Sequence, residues 1–260
     1  MPTTETSRDP EQLRDTVREH YAAVASAAGS GCCGGGPQPV SLSLGYTPDD
    51  LTAVPDGADL GLGCGNPQAL ARLEPGMTVL DLGCGAGFDV FLAARAVGEE
   101  GLVIGVDMTP EMLAKARANA RTAGYRNVDF RLGEIEHLPV ADASVDVVIS
   151  NCVINLSPDK QAVFAEAFRV LRPGGRLAVS DVVAFAELPE EVRGDLALYA
   201  GCVAGAATAA QTCTMLEQAG FADLHVTPLD HSREVVTTWA PGLDLADYVA
   251  SASIEATRPA

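Results

Sequence analysis

The sequence predicts an α/β protein built on a mostly parallel sheet with helices on both faces. Three observations carry that reading. From Thr78 onward, short apolar strands alternate with helical segments. The strands are apolar throughout instead of alternating with polar residues, as strands covered on both sides are. The first of them runs into Gly83-Cys-Gly-Ala-Gly87, a turn that opens a helix.

The elements follow in order. Residues 11–28 have helical spacing, with Leu13, Val17, Tyr21, Val24 and Ala28 along one stripe. Gly29-Ser-Gly-Cys-Cys-Gly-Gly-Gly-Pro37 then reads as a loop. Residues 40–67 are turn-rich, and 68–73 form a short helix before the turn Glu74-Pro-Gly76. Strands are expected at 78–82, 102–107, 128–132, 145–150 and 176–180, with helices at 89–97, 110–123 and 160–171 between them. Pro110 suits a first helical turn, and Arg172-Pro-Gly-Gly175 reads as the turn before the fifth strand. Beyond Asp181 the pattern loosens into helical stretches at 188–199 and 208–219, the second ending at Gly220, and closing strands at 221–228 and 248–258. The expected division is an N-terminal helix with a cysteine-bearing loop (1–67), a cofactor-binding core (68–185), and a small substrate lobe with the closing strands (186–260).

Composition bounds the partners. The 260 residues suffice for one large α/β domain or a domain with an added lobe. Seventeen basic against thirty-five acidic residues give a net charge of −18, the wrong sign for a nucleic-acid backbone. With only Lys115 and Lys160 as lysines, the acidic surface is compatible with life at high salt. No apolar run is long enough to span a bilayer, and the polar start lacks an export signal, so a cytoplasmic protein without membrane contact is expected. Seven cysteines, an odd number in a chain too large to need a disulfide framework, point to thiols in a reducing compartment.

The glycine turn identifies the ligand class. A bare glycine pattern says little, but Asp81 precedes this one inside the strand end, and Asp107 closes the next strand. Gly83, Gly85 and Gly87 are one residue tighter than the dinucleotide fingerprint, with Cys84 as a small residue inside the turn. A carboxylate ahead of the turn would repel a pyrophosphate. It suits the cationic amino-acid end of S-adenosylmethionine, with Asp107 accepting from the ribose hydroxyls. With these motifs, residues 76–180 resemble the class I methyltransferases, a Rossmann-like fold with a seven-stranded sheet. The resemblance implies further cofactor contacts: Met108 beside the adenine, Glu134 and Ile135 at its edge, and Asn151 near the methyl donor.

The segment after the fourth strand points to the acceptor. It reads Ser150-Asn-Cys-Val-Ile-Asn-Leu-Ser-Pro-Asp-Lys160, with Cys152 at the active-site edge, and lacks the Asn/Asp-Pro-Pro-aromatic motif of amino-methylating enzymes on nucleic acid. This stretch closely resembles the arsenite methyltransferases. Tyr46 with Leu60-Gly-Leu-Gly-Cys-Gly-Asn-Pro67 is similar to a second element of that family and places Cys64. Leu188-Pro-Glu-Glu-Val-Arg193 and Ala200-Gly-Cys-Val-Ala-Gly-Ala206 are similar to two more and place Cys202, and the last strand also matches. The resemblance runs from about Arg18 to the end of the chain. It implies methylation of trivalent arsenic, presented as arsenite or its thiol conjugate, in a detoxification role. It also implies a redox partnership of Cys64 with a cysteine near the N-terminus, where Cys32 and Cys33 both stand, and an external thiol reductant, glutathione or thioredoxin. The chain stops short of the C-terminal cysteine-bearing domain of larger members.

The residues suit that chemistry. Trivalent arsenic is soft and binds thiolates. Three cysteines from separate segments can form a trigonal sulfur pocket that leaves the arsenic lone pair free to attack the methyl group, so positioning supplies most of the catalysis, up to roughly 7–11 kcal/mol. Thiols with a pKa near about 8.5 are mostly protonated at neutral pH, so binding is expected to displace protons and to tighten as pH rises. Cys84 reads as structural and Cys213 as core; His137 reads as solvent-facing, and His20, His225 and His231 have no ligand spacing. Two other functions use the same features. One is a methyltransferase for a small organic acceptor such as a quinone or sterol, with cysteines as lining. The other is a non-catalytic thiol protein that binds metalloids.

Overall fold

The computed structural model describes residues 9–27, 40–229 and 245–260. Seven strands form one sheet in the order β3-β2-β1-β4-β5-β7-β6. They are β1 (Thr78–Leu82), β2 (Leu102–Asp107), β3 (Val128–Leu132), β4 (Val145–Asn151), β5 (Leu171–Ala184), β6 (Ala222–Pro228) and β7 (Val249–Thr257). Strands β1 to β5 pair in parallel, and β7 runs antiparallel between β5 and β6. The closing strands therefore continue the same sheet as the core.

Successive side chains of a strand point to opposite faces, and each face has its own helical cover. Leu80, Leu82, Ile104, Val106 and Val148 pack against Val163 and Phe164 of α7 (Lys160–Val170) and Leu216 of α10 (Ala209–Ala219). On the other face, Val79, Val103, Val147 and Ile149 pack against Phe91 of α5 (Phe88–Val97) and Leu113 of α6 (Pro110–Ala123), with Ala71 of α4 (Gln68–Ala71). Each such fully buried side chain contributes about 1.5–3 kcal/mol. A third cluster lies beyond the carboxyl ends of the strands. There Leu13 and Val17 of α1 (Pro10–Ala27) meet Val192 of α8 (Glu190–Arg193), Tyr199 of α9 (Leu196–Ala200), and Cys64, Cys152 and Cys202.

Four local expectations are revised. The turn Arg172-Pro-Gly-Gly175 lies inside β5, as the irregularity between the pairs Val145/Leu171 and Val147/Arg176. Strand β5 also continues past Ser180 to Ala184, because β7 pairs with it along that whole length. The stretch expected as one helix at 188–199 is two, since the Asp195 side chain accepts from Ala197 and Leu198 N–H and starts α9 afresh. Within 40–67 two short helices form, α2 (Val40–Ser43) and α3 (Pro48–Ala53), the latter with a Thr47/Asp50 capping box.

Candidate active site

Strand order reverses direction between β1 and β4, the point where open parallel sheets hold ligands. A cavity opens there, lined by Asp81, Gly83, Cys84 and Gly85 from the turn after β1, by Asp107 and Met108 after β2, by Ile135 and Glu136, and by Asn151 and Cys152 after β4. Gly83 and Gly85 have φ of 68° and 51°, which only glycine adopts cheaply and which bends the backbone around the cavity. Both oxygens of Asp107 are tied to backbone: Oδ2 accepts from Gly85 N–H at 2.9 Å and Oδ1 from Thr109 N–H at 2.8 Å.

Three buried carboxylates, Asp81, Asp89 and Asp107, give the cavity its electrostatic character. Burial pushes the Asp81 pKa well up, and the charges of Asp89 and Asp107 push it further. Burial also raises Asp89 and Asp107, against the hydrogen bonds each accepts. A cationic ligand offsets this cost, so the donor set fits S-adenosylmethionine, which carries an ammonium and a sulfonium.

Most residues expected at the cofactor face this cavity, and two do not. Gly87 has φ 96° and starts α5, with Phe91 and Phe130 so close that a Cβ would clash with them. The Glu134 side chain turns to α1, where its carboxylate lies 3.6 Å from both Arg14 and Arg18, and Glu136 lines the cavity instead. Glu136 accepts from Ser157 Oγ at 2.7 Å. Sequence reading missed Asp89, although it stands two residues after the last glycine of the turn.

Asn151 joins the cofactor cavity to the cysteines. Its Nδ2 donates to Tyr46 Oη, to the Gly65 carbonyl and to Asp89 Oδ2, while its Oδ1 accepts from Cys64 N–H at 3.0 Å. Tyr46 in turn donates to Asp89 Oδ1 at 2.7 Å. A Cβ on Gly63 would stand 2.7 Å from Asn151 Nδ2, so glycine beside Cys64 is what lets this loop close down.

The three expected cysteines are buried in one cluster and come from three separate segments. The Cys64 and Cys152 sulfurs lie within 4.8 Å of each other, and the Cys202 sulfur stands outside that close group. Cys152 lines the cofactor cavity. The Cys202 sulfur also approaches the Cys152 carbonyl oxygen to 2.6 Å. Both Cys152 (φ 59°) and Cys202 (φ 65°) hold left-handed backbone, which costs a non-glycine residue about 1–2 kcal/mol. Such strain marks positions that the surrounding structure fixes, commonly at functional sites. Burial pushes the Cys64 thiol up to about 11. The bond to Cys202 pulls the Cys152 thiol down, but the Cys64 bond and burial outweigh it; the Cys152 bond and burial raise Cys202. The site thus presents neutral thiols.

Asp181 is a further site residue that sequence reading did not identify. Its carboxylate and the sulfurs of Cys64 and Cys152 all lie within 4.8 Å of one another. Its position at the carboxyl side of Ser180 was the available signal, since strand ends line these sites. Tyr21 of α1 also lines the cavity, donates to the Ala200 carbonyl at 3.2 Å, and has its pKa raised well above the ordinary value, chiefly by burial. Among the other cysteines, Cys84 is buried in the glycine turn, while Cys213 is half-buried in α10, less core than expected. His137 is exposed. Cys32, Cys33 and His231 lie outside the described residues.

The sheet order and the cavity at its switch point define a class I S-adenosylmethionine-dependent methyltransferase. A family model described as "Methyltransferase domain" matches residues 73–220. The chain belongs to the arsenite methyltransferase family. It is 54% identical to the arsenite methyltransferase of Halobacterium salinarum, covering 97% of this chain and 68% of that protein. It is 42% identical to that of Aquipseudomonas alcaligenes, covering 75% of this chain and 58% of that one. The chain thus spans about two thirds of the first relative and less of the second. Among solved structures it is similar to CrArsM, an arsenic(III) S-adenosylmethionine methyltransferase from Chlamydomonas reinhardtii, with a TM-score of 0.61 and 38% identity over 87% of this chain and 75% of that one. Among the described residues, no helix is long and apolar enough to cross a membrane.

Proposed function

We propose that this chain transfers a methyl group from S-adenosylmethionine to trivalent arsenic held by Cys64, Cys152 and Cys202. The observation that carries the reading is one buried cluster holding Cys64, Cys152 and Cys202 from separate segments, with Cys152 lining the cofactor cavity and the Cys64 sulfur within 4.8 Å of the Cys152 sulfur. Asp81 and Asp89 hold the cationic amino-acid end of the cofactor, Asp107 its ribose, and Met108 and Ile135 its adenine. When bound, the cofactor supplies an electrophilic methyl group on a sulfonium. Asn151 keeps the Cys64 loop in register with that cavity, and the thiols orient the arsenic lone pair toward it, so no general base is needed.

Neutral thiols suit this substrate. Arsenous acid and three thiols give the trithiolate and three waters, and exchange with a thiol conjugate returns three thiols. No proton is left over in either case. The expectation that affinity rises with pH came from metal-cation chemistry and does not apply here. Arsenite reaches the site as such or as its glutathione conjugate. An external thiol, glutathione or thioredoxin, supplies electrons between rounds, and Cys32 or Cys33 takes part with Cys64. The role is arsenic detoxification in the cytoplasm.

The test is incubation with arsenite, glutathione and labelled S-adenosylmethionine, followed by chromatography with arsenic detection. Methylated arsenic above the enzyme-free blank is expected. Arsenite binding without any methylated product, in protein that binds cofactor, would instead favour a thiol sensor. Cys152→Ser or Cys202→Ser should abolish turnover and leave cofactor affinity unchanged; retained turnover rejects the three-thiol site.

A further inference from the structure

Arsenic methylation moves a positive charge. The arsenic lone pair forms the As–C bond while the C–S bond of the sulfonium breaks and leaves its electron pair on that sulfur. The donor becomes a neutral thioether, and a neutral arsenic trithiolate becomes a cationic methylarsonium. A site that accelerates this step needs negative charge where the cation develops, fixed in place beforehand.

Asp181 has those properties. It is 2% exposed, and its carboxylate lies within 4.8 Å of the Cys64 and Cys152 sulfurs. Four donors hold it. Oδ2 accepts from Ile154 N–H at 2.9 Å and Asn155 N–H at 3.4 Å, and Oδ1 accepts from Asn155 Nδ2 at 2.9 Å and Val182 N–H at 2.7 Å. Three of these come from the turn that follows Cys152, so the carboxylate and that thiol are fixed together. Both of its oxygens act only as acceptors, each taking two N–H donors, which is the arrangement that holds an ionised carboxylate. Its charge reaches all three thiols, raising each one. Lys160 is the basic group facing it; that ammonium donates to the Ser157 carbonyl at 3.1 Å and bears on both Asp181 and Cys202.

We propose that Asp181 is the counter-charge of the arsenic site, a carboxylate fixed beside the Cys64 and Cys152 sulfurs that stabilises the positive charge arsenic acquires as it takes the methyl group. This rests on the arsenic-methylating reading above. The carboxylate has no role in gathering arsenic, since the trithiolate is neutral, so its effect falls on the transfer step and not on binding.

The test uses Asp181→Asn, which keeps the shape and removes the charge. Three measurements accompany it: thiolate absorbance titrated against pH without cofactor, arsenite stoichiometry by protection of thiols, and cofactor affinity by calorimetry. The thiols should ionise at lower pH in the variant, arsenite and cofactor binding should stay within about twofold, and single-turnover methyl transfer should slow at least about tenfold. Lys160→Gln, which removes a positive charge from the same face, should not slow transfer at pH 8. An unchanged rate in Asp181→Asn with arsenite bound overturns the role, as does an equal slowing in Lys160→Gln. If Asp181→Asn does not fold, Asp181→Glu and Lys160→Gln decide it: Glu should keep most of the rate. Wild-type protein that methylates no arsenite rejects the function itself, whereas active wild type with an equally active Asp181→Asn rejects this role alone.

Discussion

The Cys64 N–H donates to Asn151 Oδ1 at 3.0 Å, so the loop carrying one thiol hangs from the residue that ends β4. The same side chain reaches Tyr46 and Asp89 in the cofactor cavity. The proposed arsenic and cofactor subsites therefore share one amide.

Replacing Asn151 by Ala leaves the Cys64 N–H and the Gly65 carbonyl without this partner. Each such buried group costs about 1–3 kcal/mol. Cofactor affinity and the KM for arsenite should both worsen, and the melting temperature should fall. Calorimetry with cofactor alone checks the first; if arsenite affinity fell with cofactor affinity untouched, the shared amide would not couple the two.

Gly205 fixes the Cys202 loop. A Cβ there would sit 2.1 Å from the Asn155 carbonyl oxygen, a backbone atom that cannot swing away. Gly205→Ala should push the Cys202 segment off the turn after Cys152. Cofactor should still bind, and arsenite should protect two thiols instead of three. Thiol counting with and without arsenite gives the answer, and three protected thiols would go against it.

Left-handed backbone at Cys202 makes an unusual ranking of variants. Alanine loses the thiol and keeps the strain; glycine loses the thiol and relieves it. Cys202→Gly should be more stable than Cys202→Ala by about 1 kcal/mol, the reverse of the usual order. Urea denaturation of the two proteins tests this, and the same holds for Cys152.

Stability of the cofactor-free protein should increase as pH falls from 8 to 5. Asp81, Asp89 and Asp107 are raised by burial in the folded state, and Asp181 is raised to about 6. A carboxyl raised above its unfolded value of about 3.9 stabilises the fold fully below that value, and this is lost as pH climbs through the folded pKa. Glu166 acts oppositely: the Arg169 hydrogen bond depresses it, and its contribution is lost at still lower pH. Cofactor brings positive charge to three of the four acids and should flatten the profile. Melting temperatures with and without S-adenosylmethionine measure both effects; a cofactor-free protein most stable at pH 8 would rule this out.

The sequence by itself determined the sheet and the glycine turn, and it pointed to the thiols now proposed for the site. Apolar runs such as Thr78–Leu82 and Val145–Asn151, alternating with helical segments, have the pattern of parallel strands covered on both faces, and Asp81 before a tight glycine turn suits a cation. Short-range pattern carries all of that, and motif resemblance carried Cys64 and Cys202. It could not carry what depends on distant segments meeting. Asp181 looked like a strand end until β5 brought it beside Cys64, 117 positions away in the chain by their numbers. Glu134 left the cavity for Arg14 and Arg18 because α1 packs over that loop. The left-handed backbone at Cys152 and Cys202 is likewise imposed by packing, since local preference for a cysteine opposes it. Residue types chose the chemistry, and long-range contacts decided its charges and strain.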